Sequence, residues 1–372
     1  MAASFDLAVI GGGVVGGAAA QRAAANGASV VLFDRRDAGR ATDAGAGIVG
    51  PALNTRDRAP WLELAAASAL AYPSLIEELG ATSGDTGYSR VGLLAVAIGD
   101  DEVARFRSFA DFVHERFGRQ GHPTGHEVRE LDPDEARRLY PVLGDVTAAV
   151  FDTGAARVDG RRLGEALLTA ARKGGVEVRD TSATSIETML QEAQTVLIAG
   201  GAWSPRFGEE LGLAIPVEPQ RGQIAHLGVP AEFGDTSAWP MLSQLGDQYQ
   251  VAWPDGRVAV GATRETGSGF AVQTTAGGVR SVLDEAIRVS PGLSGAELLE
   301  VRVGLRPVTP DLMPAIGRAP GRNDVVIATG HGPTGLTCGP FSGRLAADLA
   351  LGLAAEHDLA PFAVDRSFAP EE

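Results

Sequence analysis

The chain has 372 residues, with 32 Lys+Arg against 47 Asp+Glu, and its net charge of −15 argues against nucleic acid as a partner. With 44% hydrophobic and 21% charged residues it can bury a large core and has no need to be disordered. At roughly 100 to 200 residues per domain, its length points to about two domains. The single cysteine, Cys338, excludes an intramolecular disulfide and a multi-thiolate metal site, and the single lysine, Lys173, leaves almost no scope for Schiff-base chemistry. Apolar runs are broken by Gly, Asp or Arg well short of the ~18 residues of a membrane span, and the N-terminus lacks a basic region followed by an apolar stretch and a cleavage site. The chain reads as soluble and cytoplasmic, its acidic excess forming a solvated surface.

The first forty residues carry the clearest local signal. An apolar run, 7–10, meets Gly11, Gly13 and Gly16 in G-x-G-x-x-G spacing, then an Ala-rich helical stretch and a second apolar run, 30–33, ending in Asp34. Strand, glycine turn, helix and strand open a βαβ unit of the dinucleotide-binding kind. Gly11 permits the tight turn, Gly13 lets a pyrophosphate approach the backbone, and Gly16 lets the helix pack on the strand. The phosphates then sit on the helix N-terminus, and Asp34 accepts hydrogen bonds from an adenosine ribose. Further on, 61–80 and 101–117 have helical spacing, 90–98 suggests a strand, 119–127 has loop composition, and 130–140 reads as a short helix with Pro133 in its first turn.

From Val158 the α/β pattern returns: Asp159 precedes a helix over 161–173, and a buried strand over 195–198 runs into a second glycine turn, Gly200-Gly201-Ala202-Trp203-Ser204. The middle third changes character. Segments 217–227, 249–253 and 257–263, separated by Pro-Asp-Gly and Gly-Asp turns, predict antiparallel strands, interrupted by a helix over 275–289. One more buried strand ends at Gly330, and an Ala-rich helix over 336–356 follows. Nucleotide-domain elements at the beginning, middle and end imply a discontinuous layout.

The βαβ fingerprint alone does not choose between NAD and FAD. The whole set of motifs does: Val9-Ile-Gly-Gly-Gly-Val-Val-Gly16, Ala44-Gly-Ala-Gly-Ile48, Ala156-Arg-Val-Asp-Gly160, Ile198-Ala-Gly-Gly-Ala-Trp-Ser204, Arg221-Gly-Gln223, Gly304-Leu-Arg-Pro307 with Thr309-Pro-Asp311, and Thr329-Gly-His-Gly332. In this order and over almost its whole length, the chain resembles the FAD-dependent family of glycine oxidase, D-amino-acid oxidase, the small D-amino-acid dehydrogenases and sarcosine oxidase. The resemblance implies an α/β fold: a discontinuous Rossmann-like FAD-binding domain (1–85, 141–215 and 305–372) with an inserted antiparallel-sheet substrate domain (86–140 and 216–304). It implies a cofactor site of Gly11, Gly13, Val14, Val15, Gly16, Asp34, Arg35, Thr42, Ala46, Gly47, Ile48, Gly200, Trp203, Gly332, Thr334, Gly335, Leu336 and Thr337. Two departures stand out. The 179–194 region is short and holds Met189-Leu190-Gln191 in place of a small hairpin. Where sarcosine oxidases carry a flavin-linking cysteine this chain has Gly304-Leu305-Arg306, so the FAD is expected to be non-covalent.

Oxidising an amino acid requires its α-hydrogen to be held over flavin N5 while the carboxylate is anchored. A guanidinium offers two parallel donors to a carboxylate, and the resemblance gives that task to Arg306, on a loop stiffened by Pro307. Tyr249 shares one side of an alternating segment with Val251 and Trp253; it either closes the carboxylate pocket or packs in a core. Trp253 and Gln223 are further candidates for that face, while Arg221 could pair with an acid at the domain junction. His331, between two glycines, could act as a base, hydrogen-bond near the flavin or pack. The helix after it would turn its N-terminal amides to the flavin. Small residues around Thr42 and 44–48 permit backbone to pass under a flat ring. Cys338 reads as a small buried apolar residue. His122 and His126 have no nearby Cys or clustered acids, which argues against a metal site.

The expected activity is FAD-dependent oxidative deamination of a small amino acid, D- or glycine-like, to an imine and then a 2-oxo acid, with oxygen or a quinone as electron acceptor. Alternatives are oxidation of an N-methyl or cyclic secondary amine, oxidation of a 2-hydroxy acid with His331 as base, a flavin-binding subunit without activity, and a nicotinamide dehydrogenase.

Overall fold

The computed structural model describes residues 4–245 and 248–369. Its first layer is a six-stranded sheet in the order Ala315–Arg318, Val325–Thr329, Ala193–Ile198, Phe5–Ile10, Val30–Phe33, Glu177–Arg179. All pairings are parallel except the first. Alternate residues of the first strand serve two cores: Leu7 and Val9 pack with the helices Val14–Ala25 and Gly335–Ala350, Ala8 and Ile10 with the helix Ile186–Glu192. Both faces are covered, which is why the strand reads as a continuous apolar run.

The second layer is an eight-stranded sheet, mostly antiparallel, in the order Glu297–Val308, Glu218–Gly228, Arg257–Gly261, Tyr249–Ala252, Met241–Gln244, Leu93–Ile98, Val146–Asp152, Val128–Leu131. Leu94 and Val96 face one core, while Leu93, Ala95 and Ala97 face another beneath the helix Asp100–Gln120. A small three-stranded sheet, Ile48–Val49, Ala156–Arg157 and Ser89–Arg90, bridges the two layers.

Locally encoded elements match the expectations closely. The helix Gly160–Lys173 is capped by Asp159, whose Oδ1 accepts from the Arg161 and Arg162 amides at 3.0 and 3.2 Å. Pro133 occupies the first turn of the helix Pro133–Leu139. Several elements differ, among them Val128–Leu131, a strand where the 130–140 helix is expected to begin. The short 179–194 region forms the helix Ile186–Glu192, capped by Ser185. Strands Val146–Asp152 and Met241–Gln244 find partners far away in sequence, the latter parallel to Leu93–Ile98. The expected loop around Arg306 is instead the end of the twelve-residue strand Glu297–Val308. Pro307 is tolerated there because it faces Pro219, so one rung of the ladder holds both residues that lack an N–H.

Gly16 fits its expected task. A methyl group there would overlap the Gly11 carbonyl oxygen and press on Val9, so Gly16→Ala should destabilise the protein by about 2 kcal/mol or more, read as a lowered urea midpoint of the FAD-loaded protein. An unchanged midpoint would show that the helix does not need this close approach.

Candidate active site

The C-terminal ends of the parallel strands open into one cavity of about 730 Å³, which extends to the second sheet as far as Tyr249 and Arg306. Of the residues singled out from the sequence as catalytic or cofactor-binding, all but Gly16 line it. Gly16 lies beneath the floor, pressed against the Gly11 carbonyl.

The floor is bare backbone. Gly11 has φ +104°, and a Cβ there would sit 2.5 Å from the Ala199 carbonyl oxygen. The first and second glycine turns therefore touch, and both expose amides. Asp34 approaches Gly12 closely and accepts from the Arg36 amide at 3.0 Å and from Arg40 Nη1 at 2.8 Å. Thr42 Oγ1 accepts from the Val14 amide at 3.0 Å, linking the 42–48 segment to the start of the first helix. The small residues of that segment answer to packing as well as to ring clearance, since a Cβ on Gly45 would lie 2.7 Å from Leu336 Cδ1.

At the start of the last helix, the Thr337 hydroxyl donates to the Ile48 carbonyl at 3.0 Å, and the buried Tyr72 hydroxyl donates to the Leu336 carbonyl. The His331 carbonyl accepts from the Thr334 amide and hydroxyl at 3.1 and 3.0 Å. The His331 ring is buried, and its Nε2 meets no donor or acceptor among the described residues. Burial pushes its pKa down to about 4, so the ring is neutral at pH 7. Cys338 is fully buried in the same helix, its thiol pushed up to about 12 by burial.

At the far end, the Arg306 guanidinium lies against Gly222, where a Cβ would sit 2.5 Å from Nη1, and Nη1 donates to the Thr263 carbonyl at 3.0 Å. Tyr249 hydrogen-bonds Arg306; burial raises its pKa, and the opposing charges of Arg306 and Arg264 do not reverse the shift. The hydroxyl can therefore accept from the guanidinium and still donate its proton onward.

Two weaker candidates fall outside the cavity. Trp253 shares a core with Tyr249 and Val251, as the alternation predicts, but its ring packs near Gly47 beside Arg157 and Arg257. Gln223 is fully buried and bonds Glu265 and Thr275. Arg221 pairs with Glu265, Nε to Oε2 2.9 Å. Other wall residues had no sequence signal of function: Arg56, Trp61, Arg105, Phe109, Gln244, Gln248 and Arg264. Arg116 lies just behind. Fully buried, it donates to the carbonyls of Ala52, Asn54 and Arg56 and holds that wall loop in place.

An amide-lined floor at the βαβ turn, an acid at the second strand end, an unpartnered buried imidazole nitrogen and a long cavity together fit a flavin dinucleotide. The model of the FAD-dependent oxidoreductase family DAO matches residues 6–349. The chain belongs to that family. A glycine oxidase of Geobacillus kaustophilus is 30% identical, with 98% of each chain covered. An uncharacterised oxidoreductase of Bacillus subtilis is 36% identical over 95% of this chain and 97% of its own. The crystal structure of iminodiacetate oxidase from Chelativorans sp. superposes with a TM-score of 0.88 at 37% identity, covering 98% of this chain and all of that one. Like the rest of the DAO family, the protein is an FAD-dependent oxidoreductase with the mixed α/β fold of these enzymes. Among the described residues, no helix is long and apolar enough to cross a membrane.

His331 gives the site a pH signature. Unfolding returns its pKa from about 4 to about 6.5, so between these values the unfolded chain binds more protons and stability falls as pH drops. His331→Asn should lose less stability than the parent between pH 7.5 and 5, measured by urea denaturation of the FAD-loaded proteins. Parallel pH profiles would contradict a buried neutral imidazole.

Proposed function

We propose that this DAO-family enzyme oxidises the carbon–nitrogen bond of a small amine bearing a carboxylate, giving an imine that water hydrolyses to an oxo acid and ammonia or a smaller amine. The observation that carries this reading is the grouping of Arg306 and the Tyr249 hydroxyl in the same cavity as the glycine floor, with the Thr263 carbonyl holding the Arg306 guanidinium. FAD, held non-covalently, supplies the acceptor for the two electrons that leave as the C–N single bond becomes C=N. Arg306 and Tyr249 bind the carboxylate by charge-assisted hydrogen bonds and so fix the α-carbon. Gly11, Gly13, Gly200 and the first amides of the helix Gly335–Ala350 hold the cofactor, with Asp34 at its ribose and the last helix's positive end at its ring. The names of the related glycine oxidases and of the iminodiacetate oxidase support an amine rather than an alcohol.

The state of His331 favours the same choice. A 2-hydroxy acid needs a base for its hydroxyl proton, and an imidazole whose pKa is about 4 is a poor one, whereas a neutral amine needs none. Sheet membership suggests a division of labour: the six-stranded layer with its helices carries the cofactor, and the eight-stranded layer, including 141–152, carries the substrate. The electron acceptor is oxygen or a quinone-type carrier.

The test is anaerobic bleaching of the bound flavin by a panel of glycine, sarcosine, D- and L-alanine, proline, iminodiacetate, D- and L-aspartate and lactate. At least one amine should bleach it and lactate should not; bleaching by lactate alone would overturn the reading. With the active amine, Arg306→Leu should lower kcat/KM by about 10²- to 10³-fold, and Tyr249→Phe by about tenfold. Full activity in Arg306→Leu would place the carboxylate elsewhere.

A further inference from the structure

The cavity presents guanidinium groups from two separate elements. Arg306 comes from the sheet, beside Tyr249. The helix Asp100–Gln120 contributes Arg105 and Phe109, four residues apart and so on one helical face. That helix is firmly seated: Phe106, Ala110 and Val113 are buried in the core that also holds Leu93, Ala95 and Ile224, which reach the cavity themselves. Arg105 lines the cavity, is exposed, and makes no hydrogen bond or ion pair with another described residue. No described residue therefore neutralises its charge.

The charges of the wall are segregated. Among the described residues, its two acids, Asp34 and Asp37, lie at the nucleotide end, bonded to Arg40 and Arg35. The rest of the wall carries Arg56, Arg105, Arg264 and Arg306 without a described acid among its lining residues. In a chain whose net charge is −15, a cationic cavity runs against composition. An amino acid with one carboxylate answers Arg306 and leaves Arg105 facing apolar or neutral substrate atoms.

We propose that the substrate is an amine bearing two carboxylates, one held by Arg306 and Tyr249, the other by Arg105 on the helix Asp100–Gln120. This rests on the amine-oxidase reading above and narrows it. The second carboxylate can sit on the side chain of an aminodicarboxylate or on the second arm of a secondary amine; the chemistry read by Arg105 is the same. An exposed charged side chain on a cavity wall also attracts a dianion before it docks, so the preference should weaken with salt.

The experiment compares steady-state kcat/KM of the FAD-loaded enzyme and its Arg105→Gln variant on iminodiacetate, D-aspartate and L-aspartate against sarcosine, D-alanine and L-alanine, at low and high ionic strength. Arg105 is exposed, so the variant should fold, and its flavin spectrum checks that it does. At least one dicarboxylate should exceed its one-carboxylate counterpart about tenfold or more. Arg105→Gln should cut that ratio at least about tenfold, mainly through KM, with Arg105→Lys recovering part of it. Iminodiacetate responding alone identifies the secondary amine, and an aspartate responding identifies the side-chain acid; either supports the proposal. Equal rates on the two classes, or an equal loss on both in Arg105→Gln, would overturn it and leave the amine-oxidase reading standing. Failure of every amine to bleach the flavin overturns both.

Discussion

Everything at this site depends on backbone being allowed to touch backbone at the ends of two neighbouring parallel strands. Phe5–Ile10 and Ala193–Ile198 lie side by side, and the residues that follow, Gly11 and Ala199, come so close that a Cβ on Gly11 would lie 2.5 Å from a carbonyl oxygen. Side chains there would lift a ligand off the amides. Without them, the start of the first helix offers its unpaired N–H groups and positive end to a diphosphate. The last helix repeats the device from the other side, its first turn tied to Ile48 through Thr337.

The substrate end follows a different logic. Arg306 is carried by a long strand, not a loop, and its guanidinium occupies the space where Gly222 has no side chain. Thr263, just after the strand Arg257–Gly261, and Tyr249, on the strand Tyr249–Ala252, hold it from further into the same sheet. A rigid mount of this kind loses little entropy when a carboxylate binds, so more of the contact energy is available to orient the reacting carbon. The helix Asp100–Gln120 does two jobs: one face lines the cavity with Arg105 and Phe109, and Arg116 near its end binds three carbonyls of the wall loop.

Much of the nucleotide half was legible in the sequence because its signals are local. The glycine spacing, the Asp159 cap and the apolar strands each depend on a dozen residues or fewer, and the family resemblance extended them over the whole chain. What escaped was non-local. Met241–Gln244 pairs with Tyr249–Ala252 close by, yet its other edge lies against Leu93–Ile98, about 150 residues earlier. The Gly and Pro around Arg306 imitate a loop, yet pairing with Glu218–Gly228 outweighs them. Trp253 has the right alternation but lies beyond the point where the cavity ends, so period-two reasoning gave its face and not its depth. Arg105, Arg264 and Gln244 belong to different elements and meet only in the folded molecule.

The central claim is that one cavity seats FAD on the glycine turns and a substrate carboxylate between Arg306 and Tyr249. A crystal structure of the FAD-loaded protein with a carboxylate ligand that resists oxidation tests it most directly. The carboxylate should lie within hydrogen-bond distance, about 3 Å, of both the guanidinium and the phenol hydroxyl, on the face of the flavin ring that the eight-stranded sheet covers. A carboxylate bound elsewhere, with Arg306 still on Thr263 and Tyr249 alone, would contradict the account.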